Sequence, residues 1–171
     1  MHFLESERLY LRKMKREDFP LFFHLETDPA VMRYIGPPRE EEAARARMEK
    51  SFVQYDDNTG FGKWMAVEKE TDKAIGWFVL TPLDGTEQIE IGYRLKEEFW
   101  GKGYATEMSK IILAYGFQVL GLDRIVGVTH LENDNSGNVL KKIGMQYVGK
   151  DYYYEHHVHF YELKHSDYTS A

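Results

Sequence analysis

Two glycines separated by one residue, Gly101 and Gly103, stand directly before a predicted helix that begins at Tyr104. Such a turn lets backbone N–H groups converge at a helix N-terminus, where the helix dipole favours anions and phosphate oxygens are natural guests. Lys102, between the glycines, adds positive charge. Because two nearby glycines also occur in ordinary tight turns, this spacing taken alone is a weak indication of phosphate binding.

Two other nucleotide-binding motifs fit this stretch poorly. The dinucleotide fingerprint needs a third glycine, and Thr106 stands where it would fall. A Walker-type loop needs Gly-Lys-Ser/Thr after four spaced residues, which the sequence GKGYAT does not provide. A phosphate-binding NTPase is therefore disfavoured.

Glu90 is the residue in this region whose chemistry fits proton transfer. It lies on a predicted strand, Ile89–Leu95, where alternation places it on the face opposite Ile89 and Ile91. A carboxylate on a partly buried strand can have its pKa raised toward neutrality by desolvation, which suits a general base. The same pattern also fits a Glu90 that faces outward or forms a salt bridge with a neighbouring strand.

The histidines of the sequence YEHHVHF invite a metal interpretation. His157 and His159 would share one face of a strand, a spacing compatible with a metal pair, and His156 precedes them in the sequence. No carboxylate or cysteine cluster completes a ligand set, so surface or pocket-lining histidines are favoured and no metal is expected. The preceding tyrosines, Tyr152–Tyr154, are expected to pack in a hairpin, although one of them could line an acceptor site.

The elements that position these residues alternate between strands and helices. Seven strands are predicted, at Glu7–Lys13, Lys63–Glu68, Lys73–Leu80, Ile89–Leu95, Arg124–Thr129, Met145–Tyr154 and His157–Leu163. Four helices are predicted, at Arg16–Thr27, Arg39–Tyr55, Tyr104–Val119 and Asn135–Lys142, with an apolar turn from Val31 to the prolines at 37 and 38. The third helix shows one buried face, formed by Met108, Ile111, Ile112, Tyr115 and Val119. Because the following strand directly succeeds this helix, the two strands that flank it should run parallel.

Composition indicates a globular α+β protein that forms one domain over residues 1–171. Hydrophobic residues make up 43% of the chain, and its net charge is −6. There is no cysteine, which excludes disulfides and a thiolate nucleophile. No signal peptide or membrane span is apparent, so a soluble, cytoplasmic protein without a membrane partner is expected. No basic, aromatic-rich face suggests nucleic acid. The acidic charge fits ordinary solubility or the attraction of a cationic substrate.

Three segments resemble the GNAT N-acetyltransferases. WGKGYA matches their pyrophosphate-binding pattern Gln/Arg-x-x-Gly-x-Gly/Ala at every fixed position except the first, which is Trp100. The segment NDNSGNVLKKIGM, residues 133–145, is similar to the family's Asn-x-x-Ser/Ala...Leu-x-x-Lys-x-Gly-Phe stretch. The opening segment, residues 7–36, resembles the Rim-type ribosomal-protein alanine N-acetyltransferase subgroup. The resemblance covers nearly the whole chain in the family's order.

The resemblance implies a fold and a cofactor site. The fold would be a central, mixed, mostly antiparallel twisted sheet of about seven strands flanked by about four helices and splayed at its fourth strand. The backbone there, at Tyr93, Arg94 and Leu95, would pair with the pantetheine arm of acetyl-CoA. Asn133 would bond the pantetheine or thioester end. The backbone that would hold the pyrophosphate comprises Gly101, Lys102, Gly103, Tyr104, Ala105 and Thr106. With Trp100 in place of Gln or Arg, backbone amides would do this alone.

The resemblance also assigns catalytic roles. Glu90, ten residues before Trp100, stands where several members carry a glutamate base, which could act through water. The tyrosine that often serves as general acid, seven residues after Asn133, is replaced by Leu140. Ser136 is a candidate substitute that would bond to the sulfur, and it also fits an N-terminal helix cap. Since the CoA thiolate is already a fair leaving group, the reaction can also proceed without an acid.

The function that follows is an acetyl-CoA-dependent N-acetyltransferase, an acyltransferase that acts on a primary amine. The acceptor would be a protein N-terminus, a polyamine or another small amine, and an edge-strand homodimer is compatible with the sequence. The resemblance places the acceptor pocket among the first two helices and the last hairpin. The first two helices and the turn between them carry Phe22, Phe23, Met32, Tyr34, Glu40, Glu41 and Glu42. Because the tyrosine acid is absent, a non-catalytic CoA-binding or regulatory module is the alternative.

Overall fold

A computed structural model of the protein describes residues 3–54 and 59–170. Within these residues the fold is α+β, with eight strands and five α-helices. The strands are β1 (Leu4–Glu5), β2 (Leu9–Lys13), β3 (Gly62–Glu68), β4 (Lys73–Pro82), β5 (Ile89–Leu95), β6 (Arg124–His130), β7 (Gln146–Tyr153) and β8 (His156–Lys164). The helices are α1 (Phe19–Thr27), α2 (Pro29–Met32), α3 (Glu41–Gln54), α4 (Tyr104–Ala114) and α5 (Asp134–Lys142).

The strands form a mixed, mostly antiparallel sheet in the order β1-β2-β3-β4-β5-β6-β8-β7. The predicted α+β class and mixed sheet are confirmed, with one strand more than expected. The additional strand is the two-residue β1, which pairs with β2 through Leu4 and Leu11. A strand this short carries too little alternation to be seen in the sequence.

The segment predicted as a turn after α1 contains the additional helix, α2. The Asp28 carboxylate caps it by accepting hydrogen bonds from the backbone N–H groups of Ala30, at 2.9 Å, and Val31, at 3.1 Å. Pro29 occupies the first helical turn, where its missing N–H costs nothing. Asp-Pro therefore ends one helix and starts the next. The end predicted for the following helix, Tyr55, lies outside the described residues.

The chain divides into two compact units. The first unit comprises Met1–Val79 and Tyr93–Ala105, and the second comprises Leu80–Gly92 and Thr106–Ala171. In the first unit, β2 and β3 pair antiparallel with Leu11 opposite Ala66. A buried core lies within this unit and comprises Met14, Phe22, Leu25, Val31, Met48, Met65 and Trp77. Strands β4 and β5 each run from one unit into the other.

In the second unit, β5 and β6 pair in parallel with Glu90 opposite Val126, as the strand-helix-strand pattern predicts. Strand β8 pairs antiparallel with β6 and with β7, so the last two strands form the predicted hairpin. Gly144 follows α5 in the left-handed region at φ +97°, and its N–H donates to the Lys141 carbonyl at 3.0 Å, as is typical of a glycine that ends a helix.

The helix predicted to extend to Val119 instead changes at Ala114 into a π-helical turn over Tyr115–Val119. This turn displaces the apolar stripe, so Val119 is 71% exposed and Phe117 is buried in its place. Gly116 permits the close packing at this point, because a Cβ there would lie 2.6 Å from Ile125 Cδ1. Among the described residues, no helix is long and apolar enough to span a membrane.

Candidate active site

The glycine turn of the first unit has the geometry that its sequence predicts. Gly101 and Gly103 adopt φ angles of +69° and +82°, a region that side chains rarely enter, and α4 begins at the next residue, Tyr104. A Cβ built on Gly101 would meet nothing within 4 Å, so the turn faces open space. An exposed left-handed turn at the start of an 11-residue helix fits an anionic ligand such as a pyrophosphate.

Arg8 brings a cation to this turn that sequence reasoning missed. Its guanidinium lies over the Tyr104 ring at 4.4 Å, and a Cβ on Gly103 would be 3.3 Å from its Nη2. Tyr104 is itself anchored, because its hydroxyl donates to Glu68 Oε1 at 2.5 Å. Arg8 and Gly103 are 95 positions apart in the sequence, so no local pattern predicts that they lie close together.

Trp100, the departure from the pyrophosphate pattern, connects the turn to the end of β5. Its indole N–H donates to the Leu95 carbonyl at 2.9 Å, while the side chain stays 45% exposed. The rest of this strand end is also fixed, since the Tyr93 ring packs 5.7 Å from that of Phe78 and Arg94 Nη1 donates to Glu26 at 2.7 Å. Trp100 thus supports the turn through the backbone of Leu95.

In the second unit, Glu90 is buried, with 9% of its surface exposed, and its Oε1 accepts a hydrogen bond from the Tyr154 hydroxyl. Burial raises the pKa of Glu90 to about 7, and the negative charge of Asp84 acts in the same direction. The hydrogen bond from Tyr154 opposes both, because it stabilises the ionised carboxylate. At neutral pH this carboxyl group therefore exchanges readily between its protonated and ionised forms.

Tyr154 is held against Glu90 by a second set of contacts. Its backbone N–H donates to Asp84 Oδ2 at 2.7 Å, and its hydroxyl oxygen accepts from the Asp84 N–H at 3.0 Å. Asp84, Tyr154 and Glu155 all have positive φ angles, of 43°, 54° and 62°. Such angles are uncommon outside glycine and occur at functional sites more often than elsewhere. Burial and the Glu90 carboxylate raise the pKa of Tyr154, so its hydroxyl keeps its proton at neutral pH.

Sequence reasoning considered Tyr154 mainly as a packing residue. The predicted strand included Tyr154, whereas in the structure Tyr154 and Glu155 form the two-residue turn between β7 and β8, with positive φ angles that Tyr and Glu seldom adopt. A non-glycine residue with positive φ is uncommon, and here the Tyr154 side chain makes a specific contact with Glu90.

Asn133 and Ser136 lie together at the start of α5. Asn133 is the N-cap, because its Oδ1 accepts from the Ser136 N–H at 3.2 Å. The alternative role suggested for Ser136, capping the helix with its own side chain, is therefore wrong. Leu140, where the family's tyrosine would stand, is buried against Gly127.

A polar cavity of about 420 Å³ lies beside α5 within the second unit, lined by Thr129, Asn133, Asp134, Gly137, Asn138, Lys141, Tyr147, His159 and Tyr161. Asn133 therefore faces open volume, whereas Ser136 and Glu90 are not among the lining residues. His159 approaches the Tyr147 hydroxyl at 3.2 Å, and His157 meets the Tyr152 ring edge-on at 5.2 Å. Across residues 3–54 and 59–170, no group of three or more His, Cys, Asp or Glu side chains could hold a metal ion.

Comparisons with known proteins agree on one family. A family model for the acetyltransferase (GNAT) domain matches residues 8–146. The uncharacterized N-acetyltransferase YnaD of Bacillus subtilis is 33% identical over 151 residues, which cover 87% of this chain and 85% of that protein. The structure of a GNAT-family acetyltransferase from Bacillus anthracis matches with a TM-score of 0.80 at 27% identity, covering 97% and 99% of the two chains. A spermidine N-acetyltransferase from Vibrio cholerae, solved with CoA and spermine, shares the fold at a TM-score of 0.76 and 20% identity, covering 95% and 98%.

Proposed function

The chain belongs to the GNAT acetyltransferase family, and from that membership we propose that it transfers the acetyl group of acetyl-CoA to a primary amine with Glu90 as general base. The observation that carries this proposal is the environment of Glu90. It is a buried carboxyl group with a pKa of about 7 and a tyrosine hydroxyl bonded to it, on the strand that leads to the glycine turn. A base with this pKa accepts a proton near neutral pH and releases it again readily.

The residues assigned to the acyl donor fit an extended anionic ligand. The left-handed glycines and the open space at Gly101 support pyrophosphate binding by the backbone of residues 101–106. We propose that β5 is splayed at its end, so that the backbone of residues 93–95 pairs with the pantetheine arm as an added strand would. Asn133 then bonds the pantetheine or thioester end. The family model and the two units' shared strands support one domain over residues 1–171.

The chemical step requires one proton transfer at Glu90. When bound, acetyl-CoA supplies the thioester carbonyl, whose carbon forms a bond with the amine nitrogen while its bond to sulfur breaks. Glu90 takes the proton that the amine loses, directly or through water. The Tyr154 hydroxyl holds the carboxylate oriented and ionised for this purpose. The departing thiolate takes up a proton from solvent, with the Ser136 hydroxyl as a candidate hydrogen-bond donor to the sulfur, because Leu140 has no proton to give.

A thiol-release assay on a panel of peptide N-termini, polyamines and other small amines tests this proposal. We expect CoA thiol to appear with at least one amine, and Glu90→Gln to lower kcat by about 100-fold or more while acetyl-CoA binding is retained. The matched control is Glu87→Gln, an exposed carboxylate three residues earlier, which should keep full activity. Acetyl-CoA binding without release of CoA thiol in the presence of any amine would favour the non-catalytic CoA-binding module, and no binding at all would overturn both.

A cytoplasmic location is proposed because acetyl-CoA is an intracellular metabolite.

A further inference from the structure

A fully buried carboxylate in the first unit gathers three arginines. Glu26, on α1, has no exposed surface. Its Oε2 accepts from Arg39 Nη1 at 2.6 Å and from Arg47 Nε at 3.1 Å, and its Oε1 accepts from Arg94 Nη1 at 2.7 Å. The arginines come from the segment before α3, from α3 itself and from β5. These four residues are called the Glu26 cluster.

The Glu26 cluster carries more positive charge than its carboxylate can balance. Lys63 adds a fourth cation, since its ammonium and the Arg94 guanidinium each lie 4.9 Å from the centre of the Trp77 ring. Burial and the charges of the three arginines lower the pKa of Lys63 to about 8, although Glu26 acts in the opposite direction. Four cations against one carboxylate leave a surplus of three positive charges. Since buried charges are normally paired, such a surplus favours an anion.

The cluster is open toward solvent on its arginine side. The exposed fraction of the side chain rises from 14% for Arg94 to 27% for Arg39 and 44% for Arg47. A guanidinium has five N–H donors, and Glu26 takes its bonds from one nitrogen of each arginine. Glu26 therefore holds the three arginines in place without exhausting their donors. A planar fork fixed in this way suits a carboxylate or a phosphate.

We propose that the Glu26 cluster binds an anionic group, a carboxylate or a phosphate, carried by a small amine acceptor, so that the acceptor is an amino acid or an amino phosphate and not a polyamine. This inference rests on the proposed transfer to an amine. The strand that carries Glu90 also carries Arg94, four residues further along β5. A polyamine would bring two or more additional positive charges to a surplus of three, which is electrostatically unfavourable.

Direct binding tests the cluster without any turnover. Inorganic phosphate is titrated into the full chain saturated with CoA, and the melting temperature is followed. The variants are Arg47→Gln, Arg47→Lys and the control Arg45→Gln, which lies on the same helix and pairs with Glu41 at 2.6 Å. We expect phosphate to stabilise the unmodified chain and the control equally. Arg47→Gln should weaken the apparent affinity for phosphate about tenfold, and Arg47→Lys should recover part of it. An equal phosphate response in all four proteins, or none once CoA is bound, would overturn the proposal.

Matched acceptors then distinguish the carboxylate from the phosphate. Phenylalanine is compared with phenethylamine, phosphoethanolamine with ethanolamine, and spermidine serves as the polycation. We expect the anionic member of at least one pair to have a kcat/KM about tenfold or more above its neutral partner. Arg47→Gln should raise the KM of that acceptor alone, with kcat retained. Preference for spermidine, or an equal loss for neutral amines, contradicts the inference. If phosphate binding depends on Arg47 but no amine is acetylated, the result supports the anion site and contradicts the proposed transferase activity.

Discussion

Replacing Glu90 with Gln is expected to stabilise the protein at neutral and alkaline pH while removing its proposed base. Burial raises the pKa of Glu90 from the ordinary value of 4.5 to about 7. The folded state therefore binds this proton more tightly than the unfolded state does. Stability conferred by this group is present below about pH 4.5 and is lost as pH rises through about 7, because the folded carboxylate must ionise in a buried position.

The size of this effect follows from the difference between the two pKa values. A difference of roughly 2.5 pKa units corresponds to about 3.4 kcal/mol, and about 2.5 kcal/mol of it develops between pH 5 and pH 8. Gln does not titrate, and its amide oxygen can still accept from the Tyr154 hydroxyl. The stability advantage of Glu90→Gln over the unmodified chain should therefore grow by about 2.5 kcal/mol over this range. For a domain of this size that corresponds to roughly 5 to 10 °C in melting temperature.

Urea unfolding at pH 5, 6, 7 and 8 measures this advantage directly, with Glu87→Gln as the exposed control. The control should show a difference from the unmodified chain that stays within about 0.5 kcal/mol at every pH. An advantage of Glu90→Gln that stays constant, or that shrinks as pH rises, would refute the view that Glu90 is desolvated in the folded state. The same result would remove the main physical reason for assigning it as the base.

Three further substitutions probe the other parts of the site. Tyr154→Phe removes the donor that stabilises ionised Glu90, so the acid limb of the kcat/KM profile should move up by about one pH unit, and an unmoved limb contradicts the proposed pairing. Gly103→Ala, at φ +82°, should cost about 1 kcal/mol and weaken acetyl-CoA binding measured by calorimetry, whereas Gly121→Ala, at φ +67°, should cost similar stability with unchanged affinity. Glu26→Gln leaves its three arginines without their carboxylate and should destabilise the chain by about 3 to 5 kcal/mol in urea unfolding, so a cost below about 1 kcal/mol would contradict the description of the cluster.

Much of the fold could be predicted because its elements have local signals. Strand β5 lies at Ile89–Leu95, as its alternation indicates, and the Asp-Gly stretch before it marks the preceding turn. The end of α4 had no such signal. Its change to a π-helical turn occurs where Ile125 packs closely against Gly116. These two residues are nine positions apart, so the sequence alone does not show that they pack together. The periodicity of an ideal helix therefore misplaced Val119.

Only part of the candidate site could be predicted from the sequence. Glycine spacing and strand alternation are local patterns. The sequence therefore predicts the turn at Gly101–Gly103 and indicates Glu90 as a candidate base. Tyr154 lies 64 residues from Glu90 in sequence, and its hydroxyl reaches the carboxylate only because the last hairpin turns in a left-handed conformation. The residue where the family's tyrosine acid would stand, Leu140, thus gave no hint that another tyrosine approaches the proposed base.

Composition does not predict the charge of the acceptor that the proposed site would bind. A net charge of −6 fits attraction of a cationic amine, and long-range steering depends on such a sum. At contact distance the sum matters little, because exposed charges beyond about 8 to 10 Å are largely screened at physiological salt. At contact distance the local excess of positive charge around Glu26 matters more. It comes from Arg39, Arg47 and Arg94, which lie 13, 21 and 68 residues from Glu26 in the sequence. An acidic protein can therefore present a cationic site, and the cluster, rather than the net charge, should decide which amines are accepted.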